Sequence, residues 1–232
     1  MNDLSAPVVR ASGAAFQNKM NGLLRTRFEL SSFYARPYVG EIRKSYVSRH
    51  LRMADIFFTP HFTRLKAGTP SKTGRSFLVS HQIEGRSVVR QSGREASIGP
   101  NQIFFIDTSQ PFEIETDEIR TRSIYLDSHF WQEIFPEREL YTATALECRA
   151  GLGYACKTTI DEIFQMNWEI PDRSMQRLAG CLANLLAVSM VTDNPPNLEN
   201  WLASALLAMT FPMMVVVAQY FNFWPLRSNE KK

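Results

Sequence analysis

The chain has 232 residues, 44% of them apolar and 21% charged, with 16 Phe against 11 Gly. That excludes a disordered or low-complexity chain and leaves a mostly globular protein long enough for one large core. A formal charge of +3, from 26 basic and 23 acidic residues spread along the chain, is too weak a bias to point to nucleic acid.

Local basic residues such as Arg43, Lys44, Arg49, His50 and Arg52 read as a solvated loop or strand face, and no DNA contact is assigned to them. Cys148, Cys156 and Cys181 are odd in number and fit no zinc or redox spacing. Residues 1–25 carry charge and no secretory pattern, so a reducing cytoplasm is expected, with the thiols in or near the core.

Residues 1–15 show no sustained period, and Phe16, Met20, Leu23 and Leu24 then fall at helical spacing, which predicts a loose arm and a short helix. From Phe28 to about Leu126 the pattern turns to short Val, Ile, Phe, Tyr and Thr runs broken by Gly, Pro, Ser or Asn, the rhythm of an antiparallel barrel or sandwich. The clearest strand runs from Phe77 to Ile83, where Phe77, Val79, His81 and Ile83 alternate with Leu78, Ser80 and Gln82. One of the two sets must face inward, and the first is taken as that set.

A hairpin follows, with Val88 to Gln91 and Arg94 to Ile98 joined by Ser92 and Gly93. Gly99, Pro100 and Asn101 make a turn, Ile103 to Ile106 a strand, Ser109 to Pro111 another turn, and Phe112, Ile114 and Thr116 alternate with Glu113 and Glu115, which should meet water. Arg122 to Leu126 closes a barrel of about eight strands, a size that encloses side chains or one small ligand.

After residue 140 the period becomes helical. Ile160, Ile163, Phe164 and Trp168 share one face, with Thr159 and Glu162 spaced as a capping box, and Pro171 breaks the pattern. A second helix begins near Asp172 or Ser174 and carries Met175, Leu178, Leu182, Leu185, Leu186 and Met190 as a broad stripe. That stripe packs on the barrel, on the same helix of a second subunit, or partly on each.

The order of these segments resembles the cupin-like N-terminal domains of AraC/XylS transcription regulators, in the AraC-binding-like subgroup, over roughly residues 16–190. The strongest stretch runs from Phe77 to Leu126, where "FLVSHQIEGRSVVRQSGREASIGPNQIFFIDTSQPFEIE" resembles the family's Gly-Arg hairpin, Gln-x-Gly-Arg turn and Asp-Thr-x-x-Pro corner. Asn101 and Gln102 stand where the family usually has Gly-Asp, and Asn tolerates the left-handed backbone that Gly would supply. "IFFTPHFTRLKAG" resembles the family's first barrel strands, and "YLDSHFWQEIFP" the segment leading to the helices.

The resemblance implies a mainly β chain with α: a cupin-like double-stranded β-helix (jelly-roll) barrel followed by two C-terminal α-helices. It also implies a cytoplasmic location, a small organic effector and a homodimer formed through the helices. The expected segments are an arm and short helix at 1–27, the effector-binding barrel at 28–140, a helical dimerisation pair at 141–192 and an atypical apolar tail at 193–232. Leu178, Leu182, Leu185 and Leu186 are the dimerisation candidates.

A metal-dependent cupin needs an H-x-H pair and a later histidine. His50, His61, His81 and His129 provide no such pair, and the later position falls near Gln110 and Pro111, so no metal or other cofactor is expected. Nucleophile elbows, Walker loops and dinucleotide fingerprints are also missing, which argues against an enzyme. Candidates for lining the lumen are His81 and Arg64, with Phe105, Phe112 and Tyr125 beside them; each also reads as a core residue or, for Arg64, a surface one.

A regulator of this family carries about one hundred further residues forming two helix-turn-helix units. The segment after the second helix has no room for them, so direct DNA contact is not expected and the chain is read as a regulator truncated or frameshifted after about residue 195. It would then act as a homodimer or as a heterodimer with a full-length regulator. The uncharged run "WLASALLAMTFPMMVVVAQYFNFW", residues 201–224, is long enough to cross a bilayer although Pro212, Gln219 and Asn222 weaken it. A membrane-tethered sensor and an atypical cupin-fold enzyme are therefore the alternatives.

Overall fold

The computed structural model describes residues 9–48, 51–66, 76–127, 131, 134–135, 138–166, 168 and 171–193. Twelve strands are named in chain order: β1 Val9–Ser12, β2 Glu29–Ser32, β3 Val39–Val47, β4 Leu51–Phe58, β5 His61–Leu65, β6 Ser76–Glu84, β7 Ser87–Gln91, β8 Arg94–Ile98, β9 Gln102–Asp107, β10 Phe112–Thr116, β11 Ile119–Asp127 and β12 Ala145–Glu147. They form two antiparallel sheets, one of seven strands in the order β1-β3-β4-β11-β6-β9-β12 and one of five in the order β2-β5-β10-β7-β8. Among the described residues lie the α-helices α1 Gly13–Leu24, α2 Gly151–Gln165 and α3 Asp172–Asp193, with a 3-10 turn at Arg138–Tyr141. This is the mainly β, cupin-like fold with C-terminal helices that the sequence predicts, with more strands than the eight expected.

Turn chemistry fixes the hairpins. Ser92 and Gly93 have φ of 53° and 76°, the paired positive dihedrals that a two-residue turn between β7 and β8 requires. Asn101 adopts φ 63°, the left-handed backbone expected of it.

Two cores result. Between the sheets, α1 drives Phe16, Met20 and Leu24 into a cluster with Phe28, Ile56, Phe58, Leu78, Phe104, Phe112, Ile114 and Tyr125. Phe28 meets Phe112 edge-on at 5.1 Å, and Phe16 meets Phe58 at 5.2 Å. On the far face of the seven-stranded sheet, Phe77 stacks on Phe105 at 5.3 Å and both meet Trp131. The helices hold that face: Lys44 Nζ donates to the carbonyls of Phe164 and Met166, Tyr46 Oη donates to Asp172 at 2.7 Å, and Cys156 on α2 lies 3.1 Å from Ser189 on α3.

Three local expectations are corrected. Helix α2 begins at Gly151, well before the expected box, because Thr159 sits inside it and turns its hydroxyl back to the Ala155 carbonyl. Arg52, read as part of a solvated basic face, is 2% exposed: its Nη1 donates to the Leu24 carbonyl at 2.8 Å and so caps α1. Cys148 and Cys156 are buried as expected, but Cys181 is exposed.

Candidate functional site

Between the sheets lies an internal cavity of about 50 Å3. A buried water takes roughly 10–15 Å3 of such space, so the cavity accepts a group of a few heavy atoms. Phe28, Phe58, Phe104 and Ile114 give it an apolar wall, and seven hydroxyls, those of Thr63, Ser80, Ser87, Thr116, Thr121, Ser123 and Tyr125, share it with His61. Among the described residues no Asp, Glu, Lys or Arg lines it.

Strand pleating explains this composition. Thr121, Ser123 and Tyr125 are alternate residues of β11 and point between the sheets, opposite Gln82, Ser80 and Leu78 of β6 in register. Ser80 and Ser123 hydroxyls lie 3.2 Å apart, and Thr121 reaches the same Ser123 oxygen at 3.4 Å. On the other sheet, β5 and β10 bring His61, Thr63 and Thr116 together.

His61 is the hub of that second group. Its Nδ1 lies 2.9 Å from the Thr59 carbonyl, which can only accept, so Nδ1 carries the proton and Nε2 accepts from the Thr63 hydroxyl at 3.0 Å. Burial pushes its pKa down to about 4, against the opposing pull of the Thr59 carbonyl, so the imidazole is neutral at pH 7. Thr116 completes the group, its hydroxyl 3.0 Å from Nδ1 and donating to the His61 carbonyl at 3.1 Å. The Tyr125 hydroxyl borders the same cavity, and burial raises its pKa.

Of the residues expected in the lumen, Tyr125 lines the cavity and Phe112 packs behind it against Phe28. The other three lie elsewhere. His81 and Phe105 are on the helix-facing side of the seven-stranded sheet, because β6 and β9 are covered on both faces and the lumen receives the opposite set, Leu78, Ser80 and Phe104. Arg64 is on the outer face of the five-stranded sheet, 2.5 Å from Glu113, in a ladder that continues through Arg90 to Glu95 and Glu115. The same ladder places Glu113 and Glu115 toward water as expected.

His81 instead belongs to a polar seam under α2. Arg122 and Lys157 both bind Asp161, Arg120 binds Asp55 through two nitrogens, and His81 Nδ1 lies 3.4 Å from Asp161 in an approach that makes no hydrogen bond. Burial lowers the His81 pKa to about 4; Asp161 opposes that, and Lys157 and Arg122 add to it. Burial alone would raise the Asp161 carboxyl, but Lys157, His81 and Arg122 hold it below the usual carboxylate range.

The hydroxyl cluster was not picked out from the sequence. Its signal is the alternation Thr121, Ser123, Tyr125 and His61, Thr63, in which small hydroxyls occupy the buried phase of a strand. On α3, Leu182 and Leu186 are buried within the chain, whereas Leu178 and Leu185 are half-buried on its outer side. Among the described residues no group of three His, Cys, Asp or Glu side chains is placed to hold a metal ion. The helix α3 is apolar enough over residues 172–192 to match a membrane span by length and composition, and its Met175, Leu182, Leu186 and Met190 are buried in the fold. The apolar run at 201–224 lies outside the described residues.

The sequence profile of the AraC-binding-like domain family matches residues 10–208. The match passes residue 195, where the sequence reading expected the likeness to stop. No protein of curated function matches the chain in sequence. Among solved structures the fold is similar to that of the AraC-like transcriptional activator CuxR, with a TM-score of 0.64 at 11% identity over 79% of this chain and 70% of that one. At that identity the likeness is one of fold alone. The EutQ protein of Clostridium difficile (TM-score 0.31, 11% identity, 39% of this chain and 70% of that one) and KdgF of Halomonas sp. (0.31, 10%, 42% and 86%) are more distant, and no argument rests on them.

Proposed function

The chain belongs to the AraC-binding-like domain family, and from that premise we propose that its barrel senses a small organic effector for a transcription regulator in the cytoplasm. The observation that carries this reading is the internal cavity, in which hydroxyls from both sheets and a neutral imidazole stand among apolar side chains. A few placed hydrogen bonds in an otherwise apolar space are what orient a small ligand. The chain is read as a binding module and not a catalyst, because His61 has its Nδ1 proton directed at the Thr59 carbonyl and its Nε2 occupied by Thr63.

The test is thermal stability of the protein against a panel of small organic compounds. A ligand that binds only the native state at about 100 times its Kd stabilises it by about 2.7 kcal/mol. Ser123→Phe, which fills the cavity, should abolish the upward shift in Tm, and the milder Thr121→Val should weaken it. An equal shift in wild type and both variants would place binding outside the lumen.

The second element of the reading is self-association through α3, as a homodimer. Leu178, Cys181 and Leu185 follow one another at spacings of three and four on the outer side of the helix, the repeat of a helix-pairing seam. Leu182 and Leu186, buried in the chain's own core, are not part of that seam. Native mass should show a dimer that Leu185→Lys converts to monomer with little change in Tm; a wild-type monomer at micromolar concentration would refute it.

A further inference from the structure

Outside the barrel wall, a cleft of about 370 Å3 is bordered by Phe33, Tyr34, Arg86, Val88, Glu115 and Asp117. That is within the size range of small-molecule pockets, roughly 300–1,000 Å3. Ser87 and Thr116 border both this cleft and the internal cavity, so the two spaces meet across a pair of small hydroxyl side chains.

The cleft carries an apolar surface the fold itself does not explain. Tyr34 is 74% exposed and Phe33 is 37% exposed. Phe33 is braced from behind by Phe62, ring centroids 4.0 Å apart, so it is held in place while its other side faces the cleft's edge. Adjacent aromatic rings kept at the rim of a concave site, beside both a guanidinium and a carboxylate, are equipped to stack on a ring and to hydrogen-bond its substituents.

We infer that this cleft is the outer half of the effector site, and that the effector is an uncharged, ring-bearing molecule whose ring lies against Phe33 and Tyr34 while a short hydroxyl-bearing head passes Ser87 and Thr116 into the lumen. The inference rests on the reading of the barrel as an effector site and adds the chemical class.

Charge decides that class. Among the described residues the lumen wall consists of hydroxyls, apolar groups and a histidine that burial keeps neutral, with no cation to receive an acid. A carboxylate entering it would lose its hydration without a counter-charge, which costs several kcal/mol. The buried cation Arg52 is not in the cavity wall: its Nη1 is bound to the Leu24 carbonyl and its Nη2 lies 3.6 Å from Asp127. In the cleft, Glu115 is already bound by Arg90 at 3.0 Å, leaving Arg86 and Asp117 as one positive and one negative group. A head that donates and accepts hydrogen bonds without a charge of its own fits both compartments.

The test is ligand-observed NMR on the full chain with charge-matched sets built on the same ring: benzyl alcohol, benzoate and benzylammonium, and their cyclohexyl counterparts. The alcohols should bind at least tenfold more tightly than the matched ions, and Tyr34→Ala, at an exposed position, should weaken them at least tenfold. Thr116→Ile, which adds bulk where the two spaces meet, should do the same with the fold intact by circular dichroism. Acids that bind as well as the alcohols, but are lost in Ser123→Phe, would overturn the uncharged class and leave the barrel as an effector site. Alcohols that bind Tyr34→Ala and wild type equally would remove the cleft from the site. Absence of binding by every member, beside a compound of the thermal-stability panel that does bind the lumen, would overturn this inference and leave the effector reading standing.

Discussion

Acid should destabilise this fold by an amount that can be worked out from two histidines. His61 and His81 are each 1% exposed, and burial holds both pKa values at about 4 against an ordinary value of 6.5. Each is therefore neutral in the folded chain, while the unfolded chain takes up protons on both as pH falls below 6.5. Stability is complete above that pH and is lost as the pH falls toward 4. Between pH 7.5 and pH 5.0 the linkage relation gives a loss of about 2 kcal/mol per ring. The assay is urea denaturation at the two pH values, for wild type, His61→Gln and His81→Gln. Each variant should lose about 2 kcal/mol of the pH dependence whatever its stability at pH 7.5, because glutamine does not titrate. His50 and His129 are common to all three proteins and cancel in the comparison. A pH dependence unchanged in both variants would refute the reasoning, and with it the neutral state of His61 on which the character of the lumen depends.

Other perturbations distinguish packing from surface charge. Trp131→Ala should cost about 3–5 kcal/mol in the same denaturation assay, since Trp131 is fully buried against Phe77 and Phe105. Gly40→Ala should lower stability by about 1–3 kcal/mol, because a Cβ there would stand 2.4 Å from the Phe16 ring that plugs the barrel. Arg90→Ala, in contrast, should cost under about 1 kcal/mol: its partners Glu95, Glu113 and Glu115 form a solvent-screened ladder. A large loss in Arg90→Ala would mean that the ladder holds the five-stranded sheet together.

What was legible in the sequence was local. The Ser92–Gly93 hairpin and the Asn101 turn are set by residues that tolerate positive φ, and the structure has them as read. The start of α2 was not legible, since its N-cap is Ala150 with no side-chain hydrogen bond, while Thr159 and Glu162 imitate a start from inside the helix. The lumen was misassigned for a related reason. Alternation along β6 yields two sets of buried residues, and choosing between them needs the helices that cover the other face. Alternation alone assigns His81 to the lumen, whereas Ser80 is the residue that faces inward. The role of Arg52 was hidden because the carbonyl it caps, that of Leu24, lies 28 residues away in the chain.

The central claim, that the barrel lumen holds the effector, is tested most directly by methyl NMR of the protein titrated with the tightest-binding alcohol of the charge-matched set. Ile56, Ile114, Ile119 and Thr121 report from the cavity wall, while Ile103, Ile124, Ile160 and Ile163 report from the helix-facing core. Shifts that begin in the first group and saturate with the binding curve are the predicted result. Shifts confined to the second group, with the cavity methyls silent, would contradict the account and move the ligand to the seam between the sheet and the helices.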